Sequence, residues 1–380
     1  MSKSLYSASW YRVADLKPRL RAHARLHRHH FRGQLWYVLQ DRTSGRYHRF
    51  SPAAYLVISL MDGQRSVREI WDLACNRLGE DVVTQDEIIR LLAQLHSSNV
   101  LYGDVPPDLG EMADRAKKQK RRKLLMSFVN PLAIRIPIFD PDEFLNATLP
   151  LVRPLMSWFG GLLFVVIVGY ALTLAGVHWS ELTENIADRV LATESLLLLL
   201  LTYPLVKAIH ELGHGYAVKR WGGEVHEIGI MFLVFMPVPY VDASEASGFH
   251  NKWRRVLVGG AGILVEVFLA ALAMFVWVEA EEGLVRAFAF NVMLIGGVST
   301  LLFNGNPLLR FDGYYVLSDL LEIPNLGNRS NRYIAYLIQR YLFAIEDLES
   351  PANARGEAGW FFFYSIASFC YRMFIVVAIV

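Results

Sequence analysis

Hydrophobic positions follow two different patterns along this chain. Before about residue 150 they come in short periodic groups, and after it in long unbroken runs. A helix needs about 20 apolar residues to cross a hydrocarbon layer about 30 Å thick. Leu155 to Val177 is uncharged and long enough to be the first span. A second begins near Ser195 and turns polar at Lys207, His210, Glu211 and His214. Polar groups on one face of a membrane helix turn inward to a site, so this span is extended to about Val218. Val256 to Val278, interrupted by Glu266, and Ala287 to Leu309 give the third and fourth. A fifth run, Trp360 to Val380, contains Arg372 and meets the end of the chain with no polar flank, as expected of a sequence cut short.

The earlier half reads differently. Leu35 to Gln40 and Arg46 to Phe50 form a short hairpin pattern. Ser51-Pro52 opens a helix with proline at its first position. Ser66-Val67-Arg68-Glu69 and Thr84-Gln85-Asp86-Glu87 are capping-box signatures, and Gly63 and Gly79 lie where helices should stop. Two strands and three helices predict a small α+β winged helix over residues 33–103. Residues 1–32 read as a basic arm, whose run Arg19 to Arg32 faces anionic lipid or solvent. Residues 104–154 read as a basic linker and interfacial segment, with Arg115 to Lys123 at the membrane surface and Phe128 to Leu151 along the interface. The fold class is therefore mainly α. A polytopic transmembrane helical core over residues 155–326 follows the small cytosolic domain, and residues 327–380 add a cytoplasmic segment and a further transmembrane helix.

Composition agrees with a membrane protein: 53% of residues are hydrophobic, and mean hydropathy is +0.27. A net charge of +2 is too small to indicate a nucleic-acid partner. The two cysteines, Cys75 and Cys370, form neither a disulfide framework nor a metal-spaced pair. Met1 to Tyr11 has no apolar core of a signal peptide. Lysine and arginine favour the cytoplasmic side. They crowd before the first span, between the second and third (Lys219, Arg220, Lys252, Arg254, Arg255) and after the fourth, whereas Glu279, Glu281 and Glu282 follow the third. The N-terminus is therefore expected in the cytoplasm.

Within the second span lies His210-Glu211-Leu212-Gly213-His214. Histidines four apart share one helix face and can bind one zinc ion, with the intervening glutamate placed to take a proton from water. Zinc needs a third protein ligand and an open fourth position. Asp312, in Asn304-Gly305-Asn306-Pro307-Leu308-Leu309-Arg310-Phe311-Asp312-Gly313, can supply it; the alternative for Asp312-Gly313 is a surface turn. From Ser195 to His210 the helix rises about 22 Å, which sets the site roughly 8 Å inside the cytoplasmic face. Asp312 falls at the cytoplasmic end of its own span, at a similar depth. His226 and Asp242 lack metal spacing relative to this motif. Asn304 and Asn306 can hold an oxyanion or the substrate backbone, or simply form the turn before Pro307. Glu266 must face a partner or a cavity: it can stand behind the metal site or pair structurally with a nearby arginine, and the structural role is expected; Lys207 is expected to snorkel. Pro237 and Pro239 exclude a regular helix, so Gly222 to Gly248 reads as an extended or re-entrant segment beside the site. An exposed edge there could bind an unwound peptide by strand addition.

HELGH on one apolar helix, followed by NPLLRFDG at the end of a later one, resembles the site-2 protease family of intramembrane zinc metallopeptidases. HELGHGYAVKRWGGEVHEIGIMFLVFMPVPYVDASEAS, NGNPLLRFDGYYVLSDLLEIPNL and NPLAIRIPIFDPDEFL are similar to its branch of bacterial peptide zinc metalloproteases, from about Asn130 to Leu326. The resemblance implies one Zn2+ per chain held by His210, His214 and Asp312, with Glu211 as the base. It also implies a multi-pass protein of the bacterial inner membrane, and a peptide or membrane protein substrate near peptide maturation, modification or export systems. Related proteins commonly continue with more spans. Residues 33–103 resemble the pyrroloquinoline-quinone peptide chaperone, a winged helix that binds leader peptides, which implies peptide capture on the hairpin and third helix; the other possibility is a structural cap. Two rival functions stand beside proteolysis. A non-catalytic peptide-binding component of a secretion or modification system would not require Glu211. A zinc transporter would want weak successive sites rather than one close cluster.

Overall fold

The computed structural model describes residues 5–31, 34–41, 46–79, 83–98, 100–102, 133–184, 193–233, 236–345, 348, 350–352, 354 and 356–379. The basic run at 115–123 and the start of the expected interfacial segment, 128–132, lie outside them. The chain divides into two compact units, Met1–Met126 and Ser127–Val380.

In the first unit β1 (Arg19–Leu20) pairs with β5 (Leu101–Tyr102), and β2 (Ala24–Phe31), β3 (Gln34–Asp41) and β4 (Arg46–Phe50) form an antiparallel sheet in that order. The expected hairpin is β3–β4, with Leu39 opposite His48. Residues 24–31, read from sequence as part of a basic arm, are a third strand paired along their whole length with β3. Ala24 and Leu26 pack against the core while Arg25 and Arg28 stay exposed, so the basic residues hide a short apolar alternation. Helices α1 (Pro52–Ser59), α2 (Val67–Leu78) and α3 (Gln85–Ser97) follow. Both predicted capping boxes form: Glu69 N donates to Ser66 Oγ and Ser66 N to Glu69 Oε2, and Thr84 and Glu87 exchange the same pair of bonds. Gly79 ends α2 at φ +58°, a left-handed angle that favours glycine. Leu39, Val57, Ile58, Ile70, Ile88 and Leu95 are buried at the centre; each contributes about 2 kcal/mol by leaving water.

The second unit begins with β6 (Ala133–Phe139) and α4 (Asp142–Val152), in the region expected to lie along the interface. Among the described residues five helices are long and apolar enough to cross a membrane, as in a multi-pass membrane protein. They are α5 (Trp158–Val177), α6 (Thr193–Arg220), α7 (Lys252–Glu279), α8 (Leu284–Met293, continued by a π-helical stretch, Leu294–Asn304) and, near the C-terminus, α11 (Glu357–Ile379). Ser157 caps α5, setting its start three residues after the expected Leu155. The fourth span stops at Asn304, not at the expected Leu309, because residues 305–311 leave the helix ahead of and through Pro307. Asp312 therefore does not end a span; it begins a separate helix, α9 (Asp312–Leu320), followed by α10 (Leu326–Leu337). Asp312-Gly313 is accordingly a helix start rather than a surface turn. A core of Val206, Ala271, Met274, Trp277, Ala289, Val292 and Ile295 knits α6, α7 and α8 together. Leu197, Leu201, Val165, Val276 and Leu301 project outward, as lipid-facing residues do.

Between α6 and α7 the chain forms a hairpin of β7 (Ile228–Leu233) and β8 (Met236–Val241), and β6 pairs with β7 to give the order β6–β7–β8. The extended reading of this segment is what the structure has, with Pro237 and Pro239 on the edge strand β8. Asp242 N donates to Glu227 O across the hairpin, whereas Val241 N points away from it to Glu211. Because bonded positions alternate along an antiparallel strand, Pro237 and Pro239 also fall on the outward side, where their missing N–H groups cost the hairpin nothing.

Candidate metal centre

His210 and His214 lie on α6, one turn apart, and are 3% and 8% exposed. Their Nε2 atoms stand 3.1 Å apart. Oδ2 of Asp312, arriving from the start of α9, is 3.0 Å from His210 Nε2 and 3.4 Å from His214 Nε2. Donors around a tetrahedral zinc ion with bonds near 2.0–2.1 Å are about 3.3–3.4 Å apart, so this triangle fits the ion. Among the described residues this is the group of three side chains placed to hold a metal.

The hydrogen bonding of the two rings makes the same case. His214 Nδ1 lies 2.7 Å from the carbonyl oxygen of Val258 on α7. A carbonyl only accepts, so Nδ1 carries the hydrogen and Nε2 presents its lone pair. His210 Nδ1 lies 3.0 Å from Glu266 Oε1 but outside hydrogen-bond geometry. Two imidazole nitrogens and a carboxylate oxygen thus converge on one point, an arrangement that a cation satisfies.

Glycines make the approach possible. A Cβ on Gly262 of α7 would come within 2.3 Å of Cε1 and Nε2 of His210. One on Gly313 would lie 2.4 Å from the carbonyl oxygen of Gly305, so the loop before α9 can fold over its first turn only there. Glu211, between the histidines, accepts a hydrogen bond of 2.9 Å from Val241 N and is thereby tied to the edge of β8.

The remaining candidates separate clearly. Asn306 Oδ1 accepts from Leu308 N at 2.9 Å, closing the turn around Pro307. Asn304 Nδ2 points to Glu266 Oε2 at 3.3 Å. Glu266 does not pair with an arginine: Lys207 Nζ reaches it at 2.5 Å, and the lysine is buried rather than snorkelling. Lys207 and His210 are three apart on one helix, a spacing that could have shown them on a common face. Asp242 caps Ser244 N at 3.0 Å. His226 sits outside the membrane spans, 3.0 Å from Asp140 and 3.2 Å from Glu224. Those hydrogen bonds raise its pKa above the ordinary 6.5.

Comparison with known proteins gives two matches. Residues 37–101 match the family of coenzyme PQQ synthesis protein D (PqqD). Over 182 residues, 47% of this chain and 69% of the relative, the sequence is 25% identical to the protein named "Putative peptide zinc metalloprotease protein YydH" of Bacillus subtilis (strain 168). No solved structure matches the chain. It therefore joins a PqqD-like domain to a multi-pass membrane unit and is similar to a protein whose name reads "Putative peptide zinc metalloprotease".

Proposed function

We propose that this chain is a membrane-embedded zinc metalloendopeptidase of the site-2 type, holding one zinc ion through His210, His214 and Asp312. The observation that carries this reading is the triangle of ligand atoms at 3.0, 3.1 and 3.4 Å inside a bundle of membrane-length helices. Bound zinc supplies Lewis acidity towards a peptide carbonyl and brings water closer to neutral ionisation. Glu211, adjacent to the ligands, takes the proton from the attacking water and hands it to the leaving amine. The outward edge of β8 holds an unwound substrate strand beside Glu211, through the carbonyl groups of Pro237 and Pro239. The amide nitrogen of Asn306, whose oxygen is engaged in the turn, is assigned to the oxyanion or the substrate backbone, with Asn304 next to it.

In this reading the PqqD-like domain captures the peptide that the membrane unit cleaves, and the match to a PqqD family supports a role in peptide maturation or export. Lys219, Arg220, Lys252, Arg254 and Arg255 cluster at one end of α6 and α7, and Glu279, Glu281 and Glu282 at the other end of α7. This asymmetry supports a cytoplasmic N-terminus in the bacterial inner membrane. The test is zinc per chain in detergent-purified wild type and Asp312→Ala prepared together. About one zinc in wild type and clearly less in the variant is expected. Equal zinc removes Asp312 from the site. No zinc in either, with metal supplied, turns the reading towards a peptide-binding component without catalysis.

A further inference from the structure

Three positions on α7 serve the two histidines of α6. Val258 offers its carbonyl to His214 Nδ1, Gly262 leaves room for the His210 ring, and Glu266 meets His210 Nδ1. They are spaced four apart, so they form one stripe down the helix. Glu266 is fully buried, in the middle of a membrane-length helix. A carboxylate there is costly unless its oxygens are occupied. Oε1 receives Lys207 Nζ at 2.5 Å and lies 3.0 Å from His210 Nδ1. Oε2 receives the hydroxyl of Thr300, from the π-helical stretch of the fourth span, and Asn304 Nδ2 at 3.3 Å. Donors from two other spans thus hold this carboxylate in one orientation.

We propose that Glu266 is a positioning residue for the metal centre: held by Lys207, Thr300 and Asn304, its Oε1 stands 3.0 Å from His210 Nδ1, as the acceptor for that nitrogen's proton when the ion is bound, and so aims His210 Nε2 at the ion. This rests on the zinc-site reading above. An ion pair that merely tied α6 to α7 would have no reason to touch a ligand ring, whereas here one oxygen atom serves both Lys207 and His210. Carboxylate partners of ligand histidines fix ring orientation and make the ring a better donor, and losing one weakens metal binding by about 10–100-fold.

Removing Glu266 alone would strand a buried lysine, so the test uses paired substitutions in the full chain. Lys207→Met/Glu266→Leu removes both charges and the acceptor. Lys207→Met/Glu266→Gln removes both charges but keeps a carbonyl oxygen for His210. Zinc affinity, measured in detergent by competition with a chromophoric chelator, should fall about 10–100-fold in the leucine pair and recover substantially in the glutamine pair. Wild-type affinity in the leucine pair overturns the inference while leaving the zinc site standing. Equal loss in both pairs also overturns it, because the damage would then lie in helix packing rather than in the lost acceptor. A wild type that binds no zinc overturns the zinc-site reading and this inference with it.

Discussion

Replacing Gly262 by alanine adds one methyl group where α7 faces the His210 ring. Its carbon would lie 2.3 Å from Cε1 and Nε2 and 2.6 Å from Nδ1. Comfortable contacts between such atoms are about 3.5–4.0 Å, so the ring must retreat by about 1 Å or more. Ligand distances at a metal site tolerate only about ±0.2 Å. His210 cannot move that far and remain a ligand. Zinc affinity should therefore fall by more than the 10–100-fold typical of losing an outer partner. Overpacking of this kind costs about 1–3 kcal/mol of stability. Gly260→Ala is the matched control, since its added carbon finds Val316 Cγ2 at an ordinary 3.7 Å. Chelator competition on wild type, Gly260→Ala and Gly262→Ala in detergent reads the effect. If Gly262→Ala binds zinc within about threefold of wild type, the close approach of α6 and α7 at His210 is refuted.

Glu211→Gln should keep its zinc and lose at least about 100-fold in cleavage of a peptide substrate; zinc loss in this variant would mean that Glu211 is structural. Ser66→Ala removes one half of a capping box and should destabilise the first unit by about 1 kcal/mol, seen as a lower midpoint for its transition in chemical denaturation. His226 binds its proton more tightly in the folded chain, because of Asp140 and Glu224. Its bridge therefore stabilises the fold fully below 6.5 and is lost as the pH rises through the higher folded value. Asp140, lowered below 3.8 by Asp142 N–H and by His226, loses its share only as the pH falls through that lower value. A histidine NMR titration should place His226 above 6.5 in wild type and lower in Asp140→Asn; equal midpoints would contradict the bridge.

Local patterns made much of this molecule readable. Two histidines four apart, a run of leucines before them and a downstream Asp312 pointed to the three side chains that converge on α6 and α9. Ser66/Glu69 and Thr84/Glu87 announced their helix starts because a capping box is written within four residues. Features that depend on distant partners stayed hidden. The pairing of Ile136 with Ile230 brings together residues far apart in sequence, and neither strand's alternation reveals the other. Glu266 could be recognised as needing a partner, but which helix face it occupied, and that Lys207 shared it, depended on how α6 and α7 are rotated. The strand at 24–31 is hidden by its arginines and histidines, which read as a solvated arm because the pairing with β3 that makes them a strand is not written within the segment. Asp312 is legible as a ligand, but its place at the start of a new helix is not, because an uncharged run continues past the point where the span stops.

The prolines of β8 give the free side of that strand an unusual polarity. Positions 237 and 239 can accept hydrogen bonds there but have none to donate, and the N–H of Val241 is already engaged by Glu211. A peptide laid along this edge must bring its own N–H groups, so a substrate proline in register with either position forfeits a bond. Another copy of the same edge brings only acceptors at these positions. Two such edges brought together in register at these positions would face acceptor with acceptor, so the prolines disfavour self-pairing of β8.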